Sequence, residues 1–181
     1  AQHAPATPGA VSYAGAIAPL VSSAAQLTDL KHTELWVVGI GAFNGRAGIH
    51  DLLRRYPFDR RQTLFVGLDG IGAGELCYGT AAGSLRRKAA DPLLARLAAR
   101  VVEAGLAHAR ARAIKGVTLA GMLYARGLRA ISFAGLDAQS YVPRQYERDD
   151  TFDALQPAQL DAAVQFVVAL ARALDNEPAG A

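Results

Sequence analysis

The chain has 181 residues, of which 51% are hydrophobic and 19% are charged, and Cys77 is its one cysteine. That length suits a single domain with a hydrophobic core, and a lone cysteine excludes an internal disulfide and a zinc site built from thiolates. The net charge of +3 comes from dispersed arginines without interleaved aromatic residues, so we expect charged solvent-facing surfaces rather than a nucleic-acid site. These arginines are predicted to lie on helix faces, among them Arg96, Arg100, Arg110 and Arg112.

The N-terminal stretch 4–28 carries no charge but contains three prolines and several hydroxyl residues. It is a poor membrane span, because a bilayer helix needs about 20 mostly apolar residues, and it lacks the basic region of a signal peptide. We expect residues 1–9 to be irregular and residues 12–27 to form a helix with Pro19 in its first turn. The buried face of that helix is predicted to carry Ile17, Leu20, Val21 and Ala24.

A strand–helix–strand unit is predicted next. The apolar run 34–40 predicts a strand, the amphipathic segment 47–56 a helix, and the run 63–68 a second strand that ends at Asp69. Open α/β sheets bind ligands where loops diverge at the carboxyl ends of strands. The glycine-rich loop after the first strand is therefore the expected site.

Strands and helices continue to alternate along the rest of the chain. Residues 75–79 and 128–133 predict buried strands, which makes Cys77 an unreactive core thiol. Asp91 is the predicted N-cap of a long helix, with Pro92 at its first position. Residues 79–90 are predicted to be a loop, and 176–181 a frayed tail. The pattern predicts one three-layer α/β/α domain over residues 1–181, with a largely parallel, mixed central sheet.

The glycine-rich loop permits a dinucleotide-binding interpretation. Gly39, Gly41 and Gly45 follow a predicted strand and precede a predicted helix, as the Rossmann fingerprint requires. However, Asn44 occupies the third glycine position of G-x-G-x-x-G, and Asp69 comes late for the acidic residue that ends the next strand. A Rossmann-like oxidoreductase fragment is therefore an alternative interpretation.

Five blocks of the sequence form a further pattern: PGAVSYAG at 8–15, VVGIGAFN at 37–44, GLDGIG at 67–72, GLRAI at 127–131 and DTFD at 150–153. Taken together and in this order, these blocks resemble the M28 family of zinc aminopeptidases. The resemblance implies a zinc-exopeptidase-like fold. In that family, His and carboxylate ligands hold two zinc ions, and a glutamate acts as general base on a metal-bound water.

The resemblance implies that most of the family's functional positions carry other residues here. The bridging aspartate falls on Ser12, the general base on Phe43, a zinc-binding glutamate on Asn44 and the last ligand histidine on Tyr146. Phe43 cannot move a proton, and neither Ser12 nor Asn44 supplies an anionic ligand. A tyrosine, with an ordinary pKa of about 10, is a weak zinc ligand at neutral pH.

Two positions of the family pattern keep a residue that can bind zinc. Asp69 matches the aspartate of the family's L-D-M-I-G block, and His3 stands for the first ligand histidine, although Pro5 replaces the aspartate of that block. Two isolated ligands are fewer than the three protein ligands of a typical catalytic zinc site. Alternatively, Asp69 is structural and accepts backbone N–H bonds from the turn 70–74.

The resemblance therefore implies a pseudoenzyme that serves as a binding or interaction module. We expect no cofactor, with zinc only at a residual site, and a peptide or protein partner rather than a nucleic acid. Phe43, Asn44 and Tyr146, together with Trp36, are predicted to line an apolar pocket in place of the metals. An active zinc-dependent hydrolase with an atypical site is the second hypothesis. The family also implies an extracytoplasmic or membrane-associated setting. It further implies strands before its first ligand block, which either lie in a segment outside this sequence or are missing from a reduced sheet.

Two pairs of adjacent polar residues are further candidates. His50 and Asp51 are adjacent on a predicted helix, so they face different directions and are expected to be an exposed polar pair. Asp149 and Asp150 could bind a cation, but a turn or helix cap at Asp150 is the favoured interpretation.

Overall fold

A mixed β-sheet forms the centre of the computed structural model, which describes residues 7–41, 47–83, 87–145 and 147–177. Two parallel pairs, β1 with β5 and β2 with β4, are joined by antiparallel pairing of β2 with β5, and the short β3 extends the far end of β2. This sheet confirms the predicted α/β class. The strands in the described residues are β1 (Leu64–Asp69), β2 (Glu75–Ala82), β3 (Lys88–Ala89), β4 (Arg110–Ile114) and β5 (Arg129–Leu136).

Helices flank the sheet. The longest two, α3 and α5, pack against each other and against β2, whereas α4 packs against β1 and β5. In the described parts of the chain, no helix combines the length and the apolar composition needed to cross a bilayer. The helices are α1 (Ile17–Ala25), α2 (Ala47–Arg55), α3 (Pro92–Glu103), α4 (Leu119–Tyr124) and α5 (Pro157–Asp175), with single 3-10 turns at Ala14–Ala16 and Phe152–Ala154.

Three aromatic rings hold α5 on the sheet. Phe166 of α5 lies between Tyr78 of β2 and Phe133 of β5, at ring-centroid distances of 6.0 and 4.7 Å. Neighbouring strand residues point to opposite faces, so Cys77 packs in a separate apolar cluster with residues such as Ile114. Burial raises the pKa of the Cys77 thiol, which supports its predicted role as a core residue.

The predicted first strand, residues 34–40, is wrong, because the structure assigns this segment to no strand. Leu35, Trp36 and Val37 are 41, 51 and 46% exposed. Trp36 instead packs edge-on against Tyr56 and Phe58, with ring centroids 5.3 and 5.6 Å apart. Strand propensity reflects a fit to a paired, half-buried surface, and among the described residues β1 pairs only with β5.

Three smaller predictions also fail. Arg110 and Arg112 lie on β4, not on a helix, because the charged and apolar residues of that segment alternate with the period of a strand. In α1 the predicted buried face is wrong, since Ile17 and Val21 are 60 and 59% exposed whereas Pro19 is buried. A helix without charged residues gives little indication of which side faces solvent. The predicted loop 79–90 contains the end of β2 and all of β3.

Asp91 links three elements of the fold. As predicted, it is the N-cap of α3, with Pro92 at the first position of the helix, and its Oδ1 accepts bonds from the N–H groups of Leu93 and Leu94 at 3.0 and 3.2 Å. Its Oδ2 accepts from Nε of Arg129 in β5 at 2.7 Å, and Arg129 also donates to the carbonyl of Arg61 at 2.8 Å. The carboxylate therefore joins α3, β5 and the turn before β1.

We expect Asp91→Ala to lower the free energy of unfolding by about 2–3 kcal/mol, because it removes both a helix cap and a charge-assisted bond. Asp91→Asn keeps a capping oxygen but loses the ion pair, so its loss should be roughly half as large. Urea denaturation of the three proteins measures both values. Equal losses in the two variants would contradict the separate capping contribution.

Candidate functional site

Of the six predicted site residues, the structure describes Ser12 and Asp69. Each lies at a junction between chain segments that are distant in sequence. His3, Phe43, Asn44 and Tyr146 lie outside the described residues.

Asp69 is the last residue of β1, at the carboxyl end of that strand. Its Oδ2 accepts a hydrogen bond from the hydroxyl of Ser132 in β5 at 2.7 Å, and its Oδ1 accepts from the N–H of Leu119 in α4 at 3.1 Å. The Ser132 hydroxyl also accepts from the N–H of Ala120 at 3.3 Å. Asp69 thus accepts bonds as the structural interpretation predicted, but its donors come from β5 and α4, not from the turn 70–74.

The electrostatic environment of Asp69 favours its neutral form. Burial of the carboxyl raises the pKa of Asp69 to about 6, and the hydrogen bonds from Ser132 and Leu119 oppose that rise only in part. In the described part of the chain Asp69 forms no ion pair that would stabilise its charge. Burial also raises the pKa of Tyr124, with smaller contributions from the negative charges of Asp69 and Asp91, so this phenol stays protonated.

The turn after Asp69 is packed against its surroundings. Gln156 donates from its N–H to the carbonyl of Gly72 at 2.7 Å, and Gly135 donates to the carbonyl of Gly70 at 3.3 Å. A Cβ atom on Gly135 would lie 2.0 Å from the carbonyl oxygen of Ala73, so only glycine allows β5 to approach the turn this closely. The loops at this end of β1 therefore pack on each other.

Ser12 is bound to Asp150, which is fully buried. One carboxylate oxygen of Asp150 accepts from the N–H of Val11 at 2.6 Å, and the other accepts from the hydroxyl of Ser12. The carbonyl of Asp150 also accepts from the N–H of Ala10 at 3.1 Å. The predicted local cap at Asp150 is therefore wrong, because its carboxylate holds a segment almost 140 positions earlier in the chain.

Trp36 does not lie near Asp69. Its ring contacts Phe58, and Phe58 in turn contacts Phe65, the second residue of β1, at 5.3 Å. These contacts place the Trp36 ring toward the amino end of β1, whereas Asp69 lies at the carboxyl end. Trp36 is therefore not part of a site around Asp69.

The described residues do not fit a zinc centre. Among them, no group of three or more His, Cys, Asp or Glu side chains could hold a metal ion. The two oxygens of Asp69 already accept bonds from Ser132 and Leu119. A catalytic zinc ion typically takes three protein ligands, so Asp69 alone is not sufficient.

An open mixed sheet flanked by helices is the architecture of the aminopeptidase-like α/β fold. Solved structures of that class superpose on this chain. An aminopeptidase from Aneurinibacillus sp. strain AM-1 gives a TM-score of 0.71 at 23% identity, covering 93% of this chain and 40% of that protein. BSAP, a zinc aminopeptidase from Bacillus subtilis, gives 0.73 at 16%, covering 93% and 43%.

The Legionella pneumophila aminopeptidase LapA gives a TM-score of 0.70 at 14% identity, covering 95% of this chain and 48% of LapA. The chain thus spans less than half the length of these enzymes, and at such identities the likeness is one of fold. No protein-family model and no curated protein sequence matches the chain. These neighbours do not favour the dinucleotide-binding alternative.

The raised pKa of Asp69 predicts a specific dependence of stability on pH. A carboxyl whose native pKa of about 6 exceeds its unfolded value of 3.8 contributes most stability at pH below 3.8, and this contribution is lost as the pH rises through 6. Since one pKa unit corresponds to about 1.4 kcal/mol, the free energy of unfolding should fall by roughly 2–3 kcal/mol between pH 4 and 7 because of this group.

Asp69→Asn is the control for that measurement, because an amide is close to the carboxyl in size but does not titrate. Its oxygen can accept one of the two hydrogen bonds, and its NH2 group can donate to the Ser132 hydroxyl in place of the other. Urea denaturation at a series of pH values should give a difference between wild type and Asp69→Asn that changes with pH in this direction. Ser132→Ala removes a bond that lowers the pKa, so it should shift the titration to higher pH. A difference that is constant with pH would refute the prediction.

Proposed function

We propose that this chain is an aminopeptidase-like domain that does not hydrolyse peptides and instead binds a peptide or protein partner. The proposal rests on the hydrogen bonds that Asp69 accepts within the fold. Its position matches that of a zinc ligand in the family that the sequence resembles. Here both oxygens accept bonds that join β1, β5 and α4.

The chemistry of peptide hydrolysis supports this proposal. A metal-dependent peptidase needs ligands that hold the metal in its charged form and a base that removes a proton from the bound water. Asp69 lies in surroundings that disfavour its charge, and zinc would have to compete with Ser132 and Leu119 for its oxygens. Metal ligands must be deprotonated, so burial without a cationic partner is an unfavourable starting point.

The other aligned positions support the same conclusion. Ser12 offers a hydroxyl that is already bound to buried Asp150. In the sequence, Phe43, Asn44 and Tyr146 offer neither a general base nor an anionic ligand at neutral pH. We propose that these three residues line the binding site that remains at the carboxyl end of β1.

Measurements of metal content and of peptide hydrolysis test the proposal that the domain is inactive. The purified protein, incubated with zinc and desalted, should contain far less than one zinc per chain by elemental analysis. It should also show no chelator-sensitive hydrolysis of leucine p-nitroanilide. Asp69→Asn is the matched control: a stoichiometric zinc signal or a hydrolytic rate that this substitution abolishes would establish an active enzyme with an atypical site.

The binding role is tested separately. A pool of tripeptides with free amino termini is titrated into isotope-labelled protein, and amide chemical shifts are recorded. We expect saturable shifts near Asp69 and Ser132 without loss of the peptides. Shifts confined to other parts of the protein, or none at all, would refute binding at this end of β1.

A further inference from the structure

A cavity of about 370 Å³ lies at the end of the sheet opposite Asp69. It is bounded by α2, by the turn that precedes β1 and by the residues that precede β5. Because β1 and β5 are parallel, both begin at this edge, whereas Asp69 ends β1. A strand rises about 3.3 Å per residue, so the length of β1 separates the two places by roughly 17 Å. The side chains that define this cavity are His50, Arg54, Tyr56, Phe58, Arg60 and Arg126.

The charge of this cavity is positive. Three arginines line it, and none of its lining residues is acidic. Arg54 is paired with Asp51 on the adjacent surface of α2, at 2.7 Å. Within the described ranges, neither Arg60 nor Arg126 has a carboxylate at ion-pair distance. Since guanidinium groups stay protonated, the cavity holds two uncompensated positive charges.

Arg126 is held in place by partners that carry no negative charge. Its Nη1 donates to the carbonyl of Met122 at 2.8 Å, and its Nη2 lies 2.6 Å from Nε2 of His50. A guanidinium group can only donate, so Nε2 of His50 is the acceptor in this contact. These bonds fix the position of Arg126 without neutralising its charge, and they leave further N–H groups for a ligand.

Arg60 projects from a well-anchored turn. Oδ1 of Asp59 accepts a hydrogen bond from the N–H of Arg61 at 2.7 Å, and the Asp59 carbonyl accepts one from the N–H of Thr63 at 2.8 Å. Arg129 also donates to the carbonyl of Arg61. The Nη1 of Arg60 lies 3.8 Å from where a Cβ would stand on Gly127, the residue after Arg126. The guanidinium groups of Arg60 and Arg126, which form no ion pair in the described residues, therefore flank the same part of the cavity.

The remaining wall is apolar. The rings of Tyr56 and Phe58 lie with their centroids 6.1 Å apart, and Leu53 and Leu128 complete this side. A volume of 370 Å³ falls in the usual range for small-molecule pockets, about 300–1,000 Å³. A ligand that fits has a compact apolar body and an anionic head.

We propose that this cavity binds a phosphate monoester with a small aromatic or aliphatic body. The dianionic phosphate matches the two uncompensated charges, and guanidinium forks bind phosphate oxygens in bidentate geometry. The rings of Tyr56 and Phe58 contact the apolar body. The site is separate from Asp69 and does not depend on whether the domain hydrolyses peptides.

Isothermal titration calorimetry with phenyl phosphate tests this proposal. The wild-type protein should show saturable binding, and Arg60→Gln should weaken it at least tenfold, roughly the loss of one charge-assisted contact. Arg60 forms no hydrogen bond within the described chain, so this variant should fold normally. Arg148→Gln is the matched control, because Arg148 is exposed and likewise forms no ion pair in the described residues, and it should bind like wild type.

Inorganic phosphate should bind more weakly than phenyl phosphate, and benzoate more weakly still. Absence of saturable binding to the wild-type protein would overturn the proposal. Equal affinity in wild type and Arg60→Gln, or equal weakening by Arg148→Gln, would show charge attraction without a site and would also overturn it. Benzoate binding as tightly as phenyl phosphate would overturn the preference for a dianion.

Discussion

The hydrogen bonds of the Asp69 carboxyl hold together the end of the sheet where a ligand is expected. They connect the last residue of β1 to the Ser132 hydroxyl in β5 and to the first turn of α4. The position of α4 over the sheet depends on them, because Ser132 also binds the N–H of Ala120. Burial of a carboxyl is costly unless hydrogen bonds satisfy it, and these bonds offset that cost only in part, as the pKa of about 6 indicates.

The hydrogen bonds of Asp69 also bear on whether this residue can bind a metal ion. A carboxyl that binds a metal needs other anionic or imidazole ligands near it, and its own hydrogen bonds orient it toward the ion. At Asp69 the bonds come from a hydroxyl and a backbone amide that belong to the core of the fold, and among the described residues no ligand cluster accompanies it. An aspartate that joins β1, β5 and α4 by hydrogen bonds is therefore compatible with an aminopeptidase-like fold.

The sequence correctly predicted the helices and strands whose patterns lie within a few neighbouring residues. The Asp91–Pro92 start of α3 and the apolar run of β1 follow from capping preference and hydrophobicity over a few residues. The segment 34–40 has an equally apolar pattern but forms no strand, because pairing depends on a neighbouring strand that the pattern does not specify.

The site was predictable only in part, for a related reason. Asp69 stands out in sequence at the end of a strand, but Leu119 and Ser132 are 50 and 63 positions away, and no periodicity links them to it. The pairing of Ser12 with Asp150 spans 138 positions. Such contacts arise from the way the sheet brings distant segments together, and the residues involved are common in loops. Arg60 and Arg126 likewise line one cavity because β1 and β5 start at the same edge.

The parallel pairing of β1 and β5 thus gives the domain two chemically opposite ends. At the carboxyl end lies a carboxyl without a cationic partner in the described chain, and at the amino end lie two guanidinium groups without carboxylates. Along β1 these ends are roughly 17 Å apart, about twice the Debye length at physiological salt, so neither charge compensates the other. The charge at each end is therefore stabilised by its own surroundings. At the carboxyl end, Asp69 accepts hydrogen bonds from the core and has a raised pKa. Guanidinium groups cannot lose their charge in this way; the exposed Arg60 and the half-buried Arg126 keep theirs in contact with water, where the proposed phosphate ligand would meet them.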